Sequence, residues 1–356
     1  MAEQLKIWGT PYEPQEDYGF FGPDSVTWKV WRYPTSLTIG FQRSVVIEEL
    51  DPALVAAVDK TRAIRDRART RYDRTLRYFA MVAYADSRSA SKAADVLVRI
   101  HAKGVGIEPL SGNRYDANDP HSQLWIHLTA WHSILYAYER FGPGKLRPEE
   151  EARYWEECAV AAELQTCSPD DVPRTRDGIR AYFEEMRPRL AGSEVAQSTM
   201  DHLLSAEIMM PPMPLPLRPG MSVVSQVLRR GTIATMPPWM RKLGGFRQAW
   251  LTTFLVTWLL RISFRFGHVS SRLELLLLKL LSPMTVPVVA PVLLGVPPRN
   301  EEVLTPAEAR ARYGFERPAD AHREFRARQA ARVFGEGTAP SDEGLIESQE
   351  ILGSLA

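Results

Sequence analysis

The chain is 356 residues long, enough to bury a sizeable core in one large domain with terminal extensions or in two domains. Its 44 Lys and Arg residues nearly balance its 43 Asp and Glu residues, and the resulting net charge of +1 excludes a global field that would attract nucleic acid. Only two cysteines occur, and the N-terminus lacks the basic-then-apolar order of a secretory signal, so we expect a cytoplasmic protein.

The first fifty residues are rich in aromatic and turn-forming residues, including Tyr18, Phe21, Gly22, Pro23 and Trp28. This composition predicts an irregular arm over residues 1–50 that packs on a core. A helix is then expected to begin at Asp51 and Pro52, because aspartate caps helices and a proline at the first helical position loses no hydrogen bond. This helix runs to about Tyr84, either continuous or with one break.

Apolar residues at helical spacing and further capping signals predict five more helices, at about 89–103, 118–141, 148–165, 175–189 and 193–208. No stretch alternates apolar and polar residues between hairpin turns, as a half-buried strand would. We therefore predict an all-α fold with residues 51–208 as its core.

Prolines interrupt the C-terminal part, residues 209–334. Five of them lie within 209–220 and predict an extended connector. The apolar runs at 250–260 and 273–281 are shorter than the roughly 20 residues of a membrane-spanning helix. They either complete the domain by burial or, since basic residues flank them, dock peripherally on a membrane through 246–296. The polar tail, 335–356, is predicted to be disordered.

Several enzyme classes lack their motifs in this sequence. It contains no Gly-x-Ser-x-Gly elbow, no P-loop, no Gly-x-Gly-x-x-Gly and no His-Glu-x-x-His. Cys158 and Cys167 have no histidine cluster nearby and make a poor zinc site. A hydrolytic or lyase site would have to combine histidines and aspartates without a recognisable nucleophile, from His127, His132, Asp116 and Asp119.

Some polar residues lie on helices that otherwise look buried. Arg71 and Thr75 are four residues apart and share one helix face with Arg74. His101 lies beside the apolar stripe of its helix, where a neutral imidazole could ligate iron through one nitrogen. His127 lies on an apolar stripe as well. A hydrogen-bonded core histidine is the common role of such residues, so spacing leaves both interpretations open.

Four sequence blocks, in order, carry a resemblance to a known family. They are FGPDSVTW at 21–28, RYDRT at 71–75, IHAKGVG at 100–106 and YDANDPHSQLWIH at 115–127. Each block is short, but their order and spacing are specific. The region from about residue 18 to 189 resembles the MpaB and latex-clearing-protein family of oxygenases.

The resemblance implies an all-helical domain around a buried b-type heme. It also implies that the heme iron activates O2 to oxidise a hydrophobic small molecule, of isoprenoid or lipid class. Carried over to this chain, the resemblance implies His101 as the iron ligand, Arg71 and Thr75 as residues beside the heme, and Asp59 as the pocket acid. Arg74 is a further residue expected beside the heme, and His127, on its own apolar stripe, is the alternative iron ligand. Of these, Arg71, Thr75 and Asp59 are the candidate catalytic residues.

Two departures from the rubber-cleaving pattern matter. Arg74 replaces a lysine that can occupy the distal iron position, and because a guanidinium offers no lone pair, we expect that position to be open or water-filled. Val55 replaces a glutamate four residues before Asp59, so a proposed acid/base group is missing. The alternative to an oxygenase is therefore a non-catalytic heme-carrying or sensing protein with the same fold.

Overall fold

The computed structural model describes residues 6–7, 10–11, 13–60, 68–205, 214–268 and 270–341. These residues form sixteen α-helices and two small antiparallel sheets. The helices are α1 Val26–Trp31, α2 Phe41–Ile47, α3 Pro52–Lys60, α4 Ala68–Tyr84, α5 Ser87–His101, α6 Pro120–Phe141, α7 Pro148–Ala162, α8 Arg176–Met186, α9 Glu194–Leu203, α10 Arg218–Thr235, α11 Pro238–Leu243, α12 Trp250–Gly267, α13 Ser271–Leu281, α14 Val286–Leu294, α15 Pro306–Tyr313 and α16 Arg323–Phe334. The strands are β1 Lys6–Ile7, β2 Thr10–Pro11, β3 Val105–Ile107 and β4 Arg114–Asp116. The all-α prediction is confirmed.

Helix starts follow the capping signals of the sequence. Asp51 accepts a hydrogen bond from the Ala53 amide at 2.8 Å, and Asp119 accepts one from the Ser122 amide at 3.0 Å. Pro52 and Pro120 are the first residues of α3 and α6. The predicted helix from Asp51 to Tyr84 corresponds to α3 and α4; the residues between them, 61–67, lie outside the described part of the chain.

The N-terminal segment is more regular than the sequence predicts. Residues 26–50 form α1, a π-helical turn at Ser36–Gly40, α2 and a 3-10 turn at Glu48–Leu50. Trp31, Ile47 and Leu50 are almost fully buried. The elements are too short for helical periodicity to stand out among aromatic residues, and burial against α6 stabilises them. The predicted arm is thus an inner part of the core.

Helix α6 is the centre of this core. It packs against α2, α7, the π-helical turn and α12. The Trp131 ring lies 5.1 Å from the rings of both Trp31 and Tyr154, measured between centroids. A fully buried large side chain contributes about 2 kcal/mol or more by leaving water, so this aromatic cluster anchors the N-terminal segment on α6 and α7.

Helices of the C-terminal part pack on earlier elements of the chain. Helix α10 packs on α12, α14 on α4, α15 on α5 and α16 on β3. Of the predicted connector at 209–220, residues 209–213 lie outside the described part, and α10 begins at Arg218. The predicted disordered tail lies mostly outside it as well, from 342 onward. Among the described helices, none combines the length and apolar character required to cross a bilayer.

Candidate functional site

The candidate site begins at the C-terminal end of α5, where His101 is the last helical residue. The Gly104 amide donates to the His101 carbonyl at 2.8 Å, which closes the helix and turns the chain into β3. A Cβ atom at Gly104 would lie 2.6 Å from Cβ of Ala117, so the close approach of these two segments requires glycine. This approach brings the segment before α6 next to His101.

Gln123 of α6 fixes the His101 ring. Its amide nitrogen lies 2.6 Å from the Ala117 carbonyl oxygen and 3.3 Å from Nδ1 of His101. Because that nitrogen donates to the carbonyl, it also acts as a donor to Nδ1, and the ring hydrogen lies on Nε2. Burial, and then the positive charge of Arg71, lower the pKa of His101 to about 4. The imidazole is therefore neutral at pH 7.

The positive charge of Arg71 on α4 acts on His101 and on two buried carboxyl groups. Burial lowers the pKa of Arg71, while the charges of Glu49 and Glu48 oppose that shift. Glu48 and Glu49 belong to the 3-10 turn before α3 and are 8% and 3% exposed. Burial raises the pKa of Glu48 to about 7 and that of Glu49 to about 8. Ser44 donates to Glu48 at 2.5 Å, whereas Oε2 of Glu49 is buried without a hydrogen-bond partner.

The remaining predicted residues lie around this cluster. Asp59 of α3 is close enough to Glu49 for its charge to raise the pKa of that carboxyl group. The Thr75 hydroxyl donates to the Arg71 carbonyl at 2.9 Å, one turn back on α4, so its proton is used within the helix. Nε of Arg74 is buried, and no atom in the described part of the chain forms a hydrogen bond with it. The charge of Arg71 thus acts on His101, and the charges of Arg71 and Asp59 both act on Glu49.

Sequence reasoning missed Glu48, Glu49 and Gln123. One feature of the sequence could have indicated the buried carboxyl groups: the two glutamates lie between the apolar residues Ile47 and Leu50, directly before the cap of α3. Acidic residues ahead of a helix are usually solvated, so only the packing of the 3-10 turn reveals their burial.

His127 has the contacts of a core histidine. Its Nε2 lies 2.8 Å from the Cys158 carbonyl oxygen, and its Nδ1 lies 3.3 Å from the amide nitrogen of Gln165. Burial lowers the pKa of His127 to about 4, and its ring packs on Trp131. Both ring nitrogens therefore already have partners, unlike those of His101, whose described hydrogen bond involves Nδ1 alone.

The described contacts assemble no hydrolytic pair. Nδ1 of His132 lies 3.4 Å from Nη1 of Arg43, and burial together with that cation holds the pKa of His132 well below its usual value. Asp116 accepts from the Asn118 amide at 2.8 Å, and Asp119 caps α6. The two aspartates are occupied in local turns.

Two surface cavities lie elsewhere. One, of about 580 Å³, is lined by residues of α9, α10 and the 244–247 turn, and the other, of about 260 Å³, by Tyr18, Trp28 and the prolines near 297. Neither shares a lining residue with the His101 cluster. The first is polar and partly filled by the ion pair of Arg229 with Asp201, 2.5 Å apart, so we do not place the chemistry there.

Comparison with known proteins identifies the family of the chain. A family model described as "ER-bound oxygenase mpaB/B'/Rubber oxygenase, catalytic domain" matches residues 28–266, about two thirds of the chain. No curated protein and no solved structure matched. The matched region contains every predicted site residue and confirms the family predicted from the four blocks. The reactants of an oxygenase are O2 and a small-molecule substrate. The chain belongs to the mpaB and rubber oxygenase catalytic-domain family.

Proposed function

We propose that the protein binds a b-type heme and uses it with O2 to oxidise a hydrophobic substrate of isoprenoid or lipid class. The observation that carries the proposal is a half-buried, neutral His101 whose pKa is lowered by burial and by the charge of half-buried Arg71, within an oxygenase family. A neutral imidazole offers iron a lone pair, and a fixed positive charge nearby favours anionic groups.

Unpartnered polar atoms on α4 support the fit of a heme. Nε of Arg74 and both Nε and Nη1 of Arg77 are buried and have no hydrogen-bond partner among the residues that the structure describes. Buried polar atoms nearly always form hydrogen bonds in folded proteins. A bound ligand with hydrogen-bond acceptors would satisfy these guanidinium groups. Heme carboxylates are acceptors of that kind. His101 would hold the iron, and Arg71, Arg74 and Arg77 would hold the carboxylates.

When bound, the heme supplies an iron centre that activates O2, which side chains alone cannot do. The protein must then present His101 with its lone pair on Nε2 and its hydrogen on Nδ1. Gln123 would have to accept from Nδ1 through its amide oxygen, so its amide group must turn away from the Ala117 carbonyl. The 2.6 Å hydrogen bond to that carbonyl opposes the turn, and Gln123 thereby sets how readily the ring adopts the binding tautomer.

Glu49 is suited to hold a proton near Arg71. With a pKa of about 8, its carboxyl group is mostly protonated at pH 7 but can release its proton at little cost. Val55 of α3 cannot serve as the acid/base group, and it is buried. We therefore assign Glu49 as the proton-holding residue, with Asp59 as its charged neighbour.

The side chains packed around this cluster are apolar. Val55 and Val58 of α3 are each 4% exposed, Leu76 of α4 is fully buried, and the ring centroids of Phe41 and Tyr72 lie 5.0 Å apart. A substrate that reaches the cluster would meet these apolar side chains, which favour an apolar chain over a polar molecule.

To test the function, the heme-loaded protein is incubated with a polyisoprenoid alkene under isotopically labelled O2. We expect O2 uptake and labelled oxygen in the product, with Glu49→Gln slower by about tenfold or more. A matched control, Glu184→Gln, changes an exposed glutamate and should leave the rate unaffected. Heme-loaded protein that consumes no O2 with alkene or lipid substrates would contradict the proposal.

That negative result would favour the second candidate, a heme-carrying or sensing protein without catalysis. The apolar residue Val55, where an acid/base group is expected, is the observation that favours it. Binding of CO or O2 by the reduced protein without turnover would identify this function.

A further inference from the structure

Helices α12 and α13 expose apolar side chains along their lengths. On α12, Trp250, Phe254, Trp258 and Phe266 are 79%, 61%, 60% and 73% exposed. On α13, Leu273, Leu276, Leu277 and Leu280 are 42–47% exposed, while Leu275 and Leu278 face the core. We call this set of eight exposed residues the α12–α13 face. Trp250, Phe254 and Trp258 follow one another at intervals of four residues, and the four leucines of α13 are linked by intervals of three or four, so each of these groups lies along one side of its helix.

The size of the α12–α13 face distinguishes it from ordinary surface. Single exposed apolar residues are normal, but many large ones along two consecutive helices indicate an interaction site. Its four aromatic residues alone leave on the order of 500 Å² of their surface in water.

Charge around the face indicates what it binds. Residues 214–298 contain ten Lys and Arg residues and one acidic residue, Glu274, a net charge of +9 in a chain whose total is +1. The exposed basic side chains of this segment, which we call the basic border, include Lys242, Arg247, Arg261, Arg265 and Arg272. Glu274 is partly buried and is hydrogen-bonded to His268 at 2.9 Å.

We propose that the α12–α13 face docks on an anionic lipid bilayer and lies in the plane of its interface. Tryptophan and leucine side chains would enter the boundary of the acyl chains, and the basic border would meet lipid phosphates. Tryptophan favours that position because its ring is apolar and its N–H is polar. A second copy of the chain is a poor partner, since two surfaces that both carry exposed basic side chains and few acidic ones would repel each other. This inference goes beyond the proposed reaction and does not depend on heme.

Binding to lipid vesicles tests the proposal with the full chain. We expect tenfold or stronger binding to vesicles of mixed phosphatidylcholine and phosphatidylglycerol than to phosphatidylcholine alone, together with a blue shift of tryptophan fluorescence and weakening by salt. The double variant Phe254→Glu with Trp258→Glu should weaken binding at least tenfold. Both side chains are exposed, so the variant should fold. Leu110→Glu makes a comparable change at a residue 60% exposed in the β3–β4 turn and should bind as the native chain does.

Charge reversal separates lipid charge from apolar contact. Lys242→Glu should weaken binding to the anionic vesicles on the order of tenfold, and Lys92→Glu, on the exposed side of α5, should not. Three results would overturn the inference: equal binding to both vesicle types, native-like binding by the double variant, or self-association in solution that the double variant abolishes.

Discussion

Replacing Glu49 by glutamine should stabilise the heme-free protein above neutral pH. The carboxyl group is 3% exposed, and burial raises its pKa from 4.5 to about 8. Between pH 4.5 and about pH 8, Glu49 carries a proton in the folded state that it has lost in the unfolded state. The free energy of unfolding therefore falls as pH rises. Glutamine keeps the shape of the protonated side chain but cannot ionise.

The size of this change in the free energy of unfolding follows from the shift in the pKa of Glu49. One pKa unit corresponds to about 1.4 kcal/mol, so Glu49 should remove about 2 kcal/mol of stability between pH 6.5 and 8. Glu48, with a pKa of about 7, adds a smaller loss of the same sign. His101 and His127 have lowered pKa values of about 4 and act in the opposite sense, stabilising the fold as pH rises to about 6.5. Above that pH their contribution is constant.

Urea unfolding at pH 6.5 and pH 8 measures this difference. The native chain should lose about 2 to 3 kcal/mol across the interval and Glu49→Gln less than 1 kcal/mol. The exposed control Glu184→Gln should behave as the native chain does. Equal losses in the native chain and in Glu49→Gln would refute the assignment of Glu49 as a buried, protonated carboxyl group.

Three further substitutions probe the fold and the site. Gly19→Ala should lower the free energy of unfolding in urea by at least about 2 kcal/mol, because φ is +71° and the new Cβ would lie 2.2 Å from the Ala85 carbonyl oxygen. The control Gly314→Ala, where φ is +75° but the space is open, should cost about 1 kcal/mol. Equal costs at the two positions would exclude the clash. Asp119→Ala should lose about 1 kcal/mol by removing the cap of α6 while Asp119→Asn retains it, and a stable alanine variant would argue against that cap. Gln123→Glu should lower the heme reduction potential by roughly tens of millivolts, since a carboxylate makes the imidazole more basic, and an unchanged potential would contradict its contact with Nδ1.

Local signals in the sequence were sufficient for the helices with strong caps. Asp51 and Asp119, each followed by proline, start α3 and α6, because a cap and a fixed φ act within a few residues. The helices of residues 26–50 were not predicted. They span one or two turns each and are stable only when α6 and α7 cover residues such as Trp31.

The site was predictable only where the residue type itself carries chemistry. His101 and Arg71 stood out as polar residues on apolar helices. The burial of Glu49 depends on long-range packing of a 3-10 turn, and the contact of Gln123 depends on the approach of Gly104 to Ala117. Neither follows from spacing along the chain.

The most direct test of the account is the absorption spectrum of protein expressed with ample heme. We predict a Soret band in the native chain, its loss in His101→Ala and its partial return when free imidazole is added. His127→Ala should retain the band, because both ring nitrogens of His127 are already hydrogen-bonded. A native chain without a Soret band, or a His101→Ala variant with an unchanged one, would contradict heme binding through His101.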